Sequence, residues 1–159
     1  MLLADLDPRP AGWSFEIVAT DYSRAVLERA RAGRYNHFEV QRGLPAHYLS
    51  RYFTPVDGGW QIADRIRRAV QFREGNLLEP FDDLGTFDVI FCRNVLIYIE
   101  ASARRGVIER LAGALRPDGY LFLGAAELPF GLTDRIEPVR GAGTAVYRPR
   151  PAAAVRARA

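Results

Sequence analysis

Residues 87–99, FDVIFCRNVLIYI, set an apolar stretch of strand length directly before an arginine, an asparagine and a tyrosine. Apolar side chains on both faces of a strand fit a sheet that is covered on both sides, the usual setting of parallel strands in α/β proteins. Arg93, Asn94 and Tyr98 fall where such a strand ends and opens into a loop. In open α/β sheets ligands bind outside the carboxyl ends of the strands. One stretch therefore constrains both the architecture and the place to look for a site.

The rest of the chain reads as strands alternating with helices. FEIVATD (15–21) predicts a strand ending in an acid, and SRAVLERARAG (23–33) a helix with Val26, Leu27 and Ala30 at helical spacing and Gly33 as its C-cap. AVQFREGN (69–76) and residues 87–93 give two further strands. SARRGVIERLAGALRPDG (102–119) reads as a helix with Val107, Ile108, Leu111 and Leu115 on one face and RPDG as its stop. YLFLGAAE (120–127) is a fourth strand, and RIEPV (135–139) with TAVYR (144–148) an antiparallel hairpin at the sheet edge, where Pro138 is tolerated. The alternation implies a mainly parallel, doubly wound α/β sheet. Residues 34–68 exceed what a βα connection needs and read as a small inserted subdomain, with a helix in GLPAHYLSRYF and a tight turn between short strands in TPVDGGWQI.

Charge and cysteine content exclude several classes. The net charge of +3 invites a nucleic-acid reading, yet Arg148, Arg150, Arg156 and Arg158 sit in a stretch without acids, which leaves residues 1–147 near neutral. Neither nucleic acid nor membrane insertion is expected, and the tail 149–159 reads as a disordered basic end. The N-terminus lacks a secretory pattern and no run spans a bilayer, so a cytoplasmic location is expected. Cys92 stands alone, which rules out an internal disulfide and a cysteine-based metal site, and it reads as a small buried hydrophobe. His37 and His47 have no ligand companions at metal spacing and read as surface residues, so no metal is expected.

FDVIFCRNVLIYI, preceded by EGNLLEPF, followed by LRPDGYLFLGAAE and accompanied by RYF in the insertion, resembles the catalytic domain of CheR-type chemotaxis receptor methyltransferases over residues 16–148. The resemblance implies a Rossmann-like class I methyltransferase sheet. It also implies S-adenosylmethionine as cofactor and methylation of glutamate side chains on chemotaxis receptors as activity. On the matching positions, Asp21 accepts the ribose hydroxyls, and Asn76 and Leu77 contact the adenine. Arg93 and Asn94 touch the cofactor. Tyr98, with Arg93, orients the acceptor. GAAE lacks the histidine of some relatives, so no histidine contact carries over to Ala125.

Each position also has an ordinary reading. Asp21 would cap the helix at Ser23, Asn76 would make a turn, Arg93 would pair with a neighbouring acid, and Tyr98 would pack in a core with its hydroxyl satisfied. Against the family pattern, the first strand and the glycine-containing loop have no counterpart ahead of Asp21. Residues 1–148 are thus expected to be a truncated methyltransferase domain with impaired activity. A noncatalytic partner-binding module and a methyltransferase for another substrate remain alternatives.

Overall fold

The computed structural model describes residues 1–6, 12–129, 131–141 and 145–151. Two compact units divide the chain, Met1–Asn76 and Leu77–Ala159. Most of the expected disordered tail, residues 152–159, lies outside the described residues.

In the first unit, strand β1 (Ile17–Asp21) leads into helix α1 (Arg24–Ala32). Local chemistry fixes both ends of α1. The Ser23 hydroxyl accepts from the Val26 N–H at 3.4 Å, satisfying a donor that the first turn leaves without a helical partner. Gly33 closes the helix at φ 64°, donating its N–H to Arg29 O and Ala30 O. A Cβ there would also lie 2.7 Å from Ile62 Cγ2, so the position favours glycine twice over.

Residues 34–67 then form β2 (Arg34–Tyr35), α2 (His37–Gln41), α3 (Ala46–Tyr52), β3 (Phe53–Val56), β4 (Gly59–Ile62) and α4 (Asp64–Arg67). The three strands make an antiparallel sheet in the order β2-β4-β3. A reciprocal cap starts α2: Glu39 N–H donates to Asn36 Oδ1 at 2.9 Å and Asn36 N–H to Glu39 Oε2 at 2.8 Å. Tyr52 is fully buried and donates its hydroxyl to Asp5, which also pairs with Arg51 at 3.1 Å. The Ile62 N–H donates to Gly33 O at 3.0 Å, so the segment leaves and rejoins the chain at one point. Strand β5 (Val70–Glu74) follows and pairs parallel with β1, setting Asp21 beside Glu74.

The second unit begins with β6 (Phe87–Cys92), helix α5 (Ala101–Gly113) and β7 (Leu115–Leu123) and ends with β8 (Ile136–Pro138) and β9 (Val146–Pro149). Its sheet runs β6-β7-β9-β8, with β6 parallel to β7 and the other pairs antiparallel. Val107, Ile108 and Leu111 of α5 pack with Cys92, Leu121, Leu123, Ile136 and Tyr147. Each such fully buried aliphatic side chain contributes about 1.5–3 kcal/mol. The opposite face of β6 is open: Phe91 is 70% exposed and stacks on Phe122 with ring centroids 4.7 Å apart.

The parallel pairs β1-β5 and β6-β7, with β9 and β8 antiparallel at the edge of the latter, make this the mixed α/β fold that the alternation implied. Two element boundaries differ from the sequence expectation. Helix α5 ends at Gly113 and not at RPDG, because Leu115 is already paired with Phe87; Arg116–Gly119 then bulges within β7 before Tyr120 pairs with Val89. Strand β7 stops at Leu123 rather than running to Glu127, because Gly124–Ala126 turns and brings Glu127 back toward the sheet, its N–H donating to Gly124 O at 2.9 Å.

Candidate functional site

The residues expected to bind a cofactor are divided between the units. Asp21 and Asn76 lie in the first; Leu77, Arg93 and Asn94 lie in the second with Tyr98. Asp21 closes β1, and its Oδ1 accepts the Ser23 N–H at 2.8 Å, a local turn leading into α1, whose cap is the Ser23 hydroxyl. A carboxylate has about four lone-pair sites, so one such bond leaves room for a diol. The Gly75 N–H donates to Asp21 O at 3.1 Å, and so the chain leading to Asn76 runs against the end of β1. Neighbouring Glu74 is taken by Arg24 at 2.7 Å. Leu77 packs against the core of the second unit, and its carbonyl accepts from Arg110 at 2.7 Å.

Past the end of β6 the chain makes a sharp loop. Asn94 adopts φ 58°, the single non-glycine positive φ among the described residues, and Val95 returns to φ −117°. Asparagine tolerates this left-handed region better than most side chains. Leu96 then inserts into the core and a 3-10 turn, Leu96–Tyr98, follows. The outcome is that Arg93 is exposed and Tyr98 is 84% exposed. The core-tyrosine reading of Tyr98 is thereby removed.

Glu127 holds this loop, and the sequence reading missed it. It is the one buried charged residue among those described, at 5% exposure. Its Oε1 accepts from Val95 N–H at 2.7 Å and Ile97 N–H at 3.3 Å; its Oε2 accepts from Asn94 N–H at 2.7 Å and Gly124 N–H at 2.6 Å. Burial pushes the carboxyl pKa up, but the N–H groups of Asn94, Gly124, Val95 and Ile97 outweigh it and hold Glu127 below the ordinary glutamate range. The available signal was a lone acid after a glycine and two alanines at a strand end, which the alternating pattern treated as the strand's last residue.

Cys92 is buried beneath the same loop, and burial, followed by the charge of Glu127, pushes its thiol up to about 11. At pH 8 the thiolate fraction is then on the order of 0.1%, and alkylation should run about two orders of magnitude slower than for free cysteine. Reaction with iodoacetamide at the free-cysteine rate in the folded chain would contradict this burial.

Among the described residues no group of His, Cys, Asp and Glu is arranged to hold a metal ion. No helix among them is long and apolar enough to cross a membrane. In the first unit the Asp21 carboxylate keeps acceptor sites of the kind a ribose diol needs, and in the second the exposed guanidinium of Arg93 and phenol of Tyr98 are donors of the kind a carboxylate needs, chemistry that suits S-adenosylmethionine.

Residues 1–144 match the family described as CheR methyltransferase, SAM binding domain. The chain belongs to this family. A chemotaxis protein methyltransferase of Pseudomonas aeruginosa is 44% identical over 84% of this CheR-family chain and 49% of its own length. One of Pseudomonas putida is 42% identical over the same shares. A probable biofilm formation methyltransferase of Pseudomonas aeruginosa is 38% identical over 87% of this chain and 33% of its own length. The chain spans about half the length of the chemotaxis methyltransferases it matches.

Proposed function

We propose that this chain is a truncated cofactor-binding and methyl-transferring part, with impaired activity, of a cytoplasmic protein-glutamate O-methyltransferase acting on chemotaxis receptors. Residues 1–148 form its methyltransferase domain, with 34–68 inserted and 149–159 a basic tail. Asp21 accepts the ribose hydroxyls, Asn76 and Leu77 take the adenine, and Arg93 and Asn94 contact the rest of the cofactor. Arg93 and Tyr98 orient the receptor carboxylate.

When bound, S-adenosylmethionine supplies a methyl group already activated by its sulfonium, so the protein's task is mainly positioning. The acceptor glutamate is ionised near neutral pH, and no general base is needed to form the ester. The guanidinium of Arg93 and the phenol of Tyr98 hold one carboxylate oxygen in line by charge-assisted and phenolic hydrogen bonds. The observation that carries this reading is the pair Arg93 and Tyr98 exposed on one fixed loop at the end of a parallel strand, in a chain matching the family over residues 1–144. The 38% identity to a probable biofilm formation methyltransferase favours a second reading, in which this chain's acceptor is a substrate other than a chemotaxis receptor.

Calorimetry with S-adenosylmethionine and labelled methyl transfer to a receptor cytoplasmic fragment test the proposal together. Asp21→Ala should weaken cofactor binding by about 1–3 kcal/mol through loss of a charged acceptor. Tyr98→Phe should lower turnover more than it changes cofactor affinity, the pattern of an interaction made mainly in the transition state. No cofactor binding by the wild-type chain, or equal loss of both quantities in Tyr98→Phe, would refute the respective assignment.

A further inference from the structure

Resting on the functional reading above, we infer that Glu127 is a positioning residue for methyl transfer, acting by clamping the loop that presents Arg93 and Tyr98. Its four acceptor contacts fall two on each oxygen, which uses all of the roughly four lone-pair sites of a carboxylate. At 5% exposure and with no acceptor capacity left, Glu127 neither abstracts a proton nor meets the substrate. What it does is mechanical. Asn94 and Val95, left-handed then right-handed, turn successive N–H groups to one side and form a concavity of the kind that binds anions. The chain fills that concavity with its own carboxylate.

The clamp spans the loop between the two side chains of interest. Its donors Asn94, Val95 and Ile97 are flanked by Arg93 on one side and Tyr98 on the other. The fourth donor, Gly124, lies just past β7, the strand that pairs with β6, so the loop is tied to the neighbouring strand and not only to its own. Gly124 has to be glycine for this, since a Cβ would sit 2.4 Å from Glu127 Oε2 and 2.7 Å from Asn94 Oδ1. An exposed Tyr98 has little packing of its own to fix it; the backbone beneath it supplies the order. Positioning errors of about 1 Å can cost 100-fold in rate.

The test uses Glu127→Gln in the full chain. The amide keeps the shape, but its NH2 must face two N–H donors whichever way it is turned. Turnover on a receptor fragment should fall about 100-fold, with S-adenosylmethionine affinity changing less than fivefold. Amide exchange at Asn94, Val95 and Ile97 should accelerate at least tenfold. Ile136→Ala, buried in β8, a strand that pairs with β9 and not with β6 or β7, serves as the control for lost stability and should keep turnover within threefold. If Glu127→Gln does not fold, Glu127→Asp, which keeps the charge but is too short to reach all four donors, takes its place with the same expectations. Turnover within threefold of wild type, or a loss equalled by Ile136→Ala, overturns the inference. A wild-type chain without turnover refutes the proposed function instead, and the amides then decide the clamp: retained protection in Glu127→Gln overturns it, and loss of protection supports it.

Discussion

Gly124→Ala should destabilise the second unit by about 3 kcal/mol, lowering its melting temperature by roughly 12–24 °C for a unit of this size. The added methyl would lie 2.4 Å from Glu127 Oε2, 2.7 Å from Asn94 Oδ1 and 3.0 Å from Asn94 N. Backbone on one side and a carboxylate held by four N–H groups on the other leave no cheap way to yield. If Glu127 moves, the buried amide of Gly124 and the partly buried amides of Asn94, Val95 and Ile97 lose a charged acceptor, and a buried donor left unpaired costs about 1–3 kcal/mol. Partial relaxation and water entry bring the sum down to the figure expected. Calorimetric melting would check it; a loss below about 1 kcal/mol would mean that the loop finds its hydrogen bonds elsewhere.

The second large effect is expected in the first unit. A Cβ on Gly59 would lie 2.2 Å from the Tyr35 carbonyl oxygen and 3.0 Å from Asn36 Cα. Both contacts are backbone, at the point where β4 pairs with β2 and where α2 begins with its Asn36–Glu39 cap. Gly59→Ala must therefore separate β2 from β4 or unseat the cap, at about 3 kcal/mol, the scale of overpacking against an unyielding neighbour. The Trp60 indole, which donates to His37 Nδ1 at 3.2 Å, should report the change in near-ultraviolet circular dichroism. Gly58→Ala, next door, meets nothing within 4 Å and carries only the left-handed backbone cost of about 1 kcal/mol. Equal effects of the two substitutions would show that the Tyr35 contact does not decide the site.

What could be read from the sequence were the features whose cause is local. Ser23 and Gly33 bracket α1 because a hydroxyl cap and a left-handed C-cap act within a few residues. The break in the apolar run at Arg93 marked the loop after β6 for the same reason. The end of α5 was misread because RPDG is a strong local stop, while the deciding event is the pairing of Leu115 with Phe87, a contact far along the chain. Glu127 was invisible for a related reason. Its partners Asn94, Val95 and Ile97 are some thirty positions away, and nothing in an isolated GAAE tells an acid that ends a strand from one that folds back under a loop. Asp21 shows the opposite limit: its turn with Ser23 is local and visible in the structure, whereas a role toward a cofactor depends on a molecule that the chain's own hydrogen bonds do not report.

The bond from Ile62 N–H to Gly33 O makes residues 34–61 a detour whose entrance and exit coincide. Strands β1 and β5, far apart in sequence, must find each other across it. Once the detour is pinned, the span to be closed is less than half as long, and each halving of a loop recovers about 0.6 kcal/mol of closure entropy. The small sheet is thus a folding shortcut for its host as well as an appendage. It can also change in length or content without disturbing the Ile17–Asp21 register, provided that its two ends still meet, which gives evolution a place to vary this family's surface while the strands beneath keep their alignment.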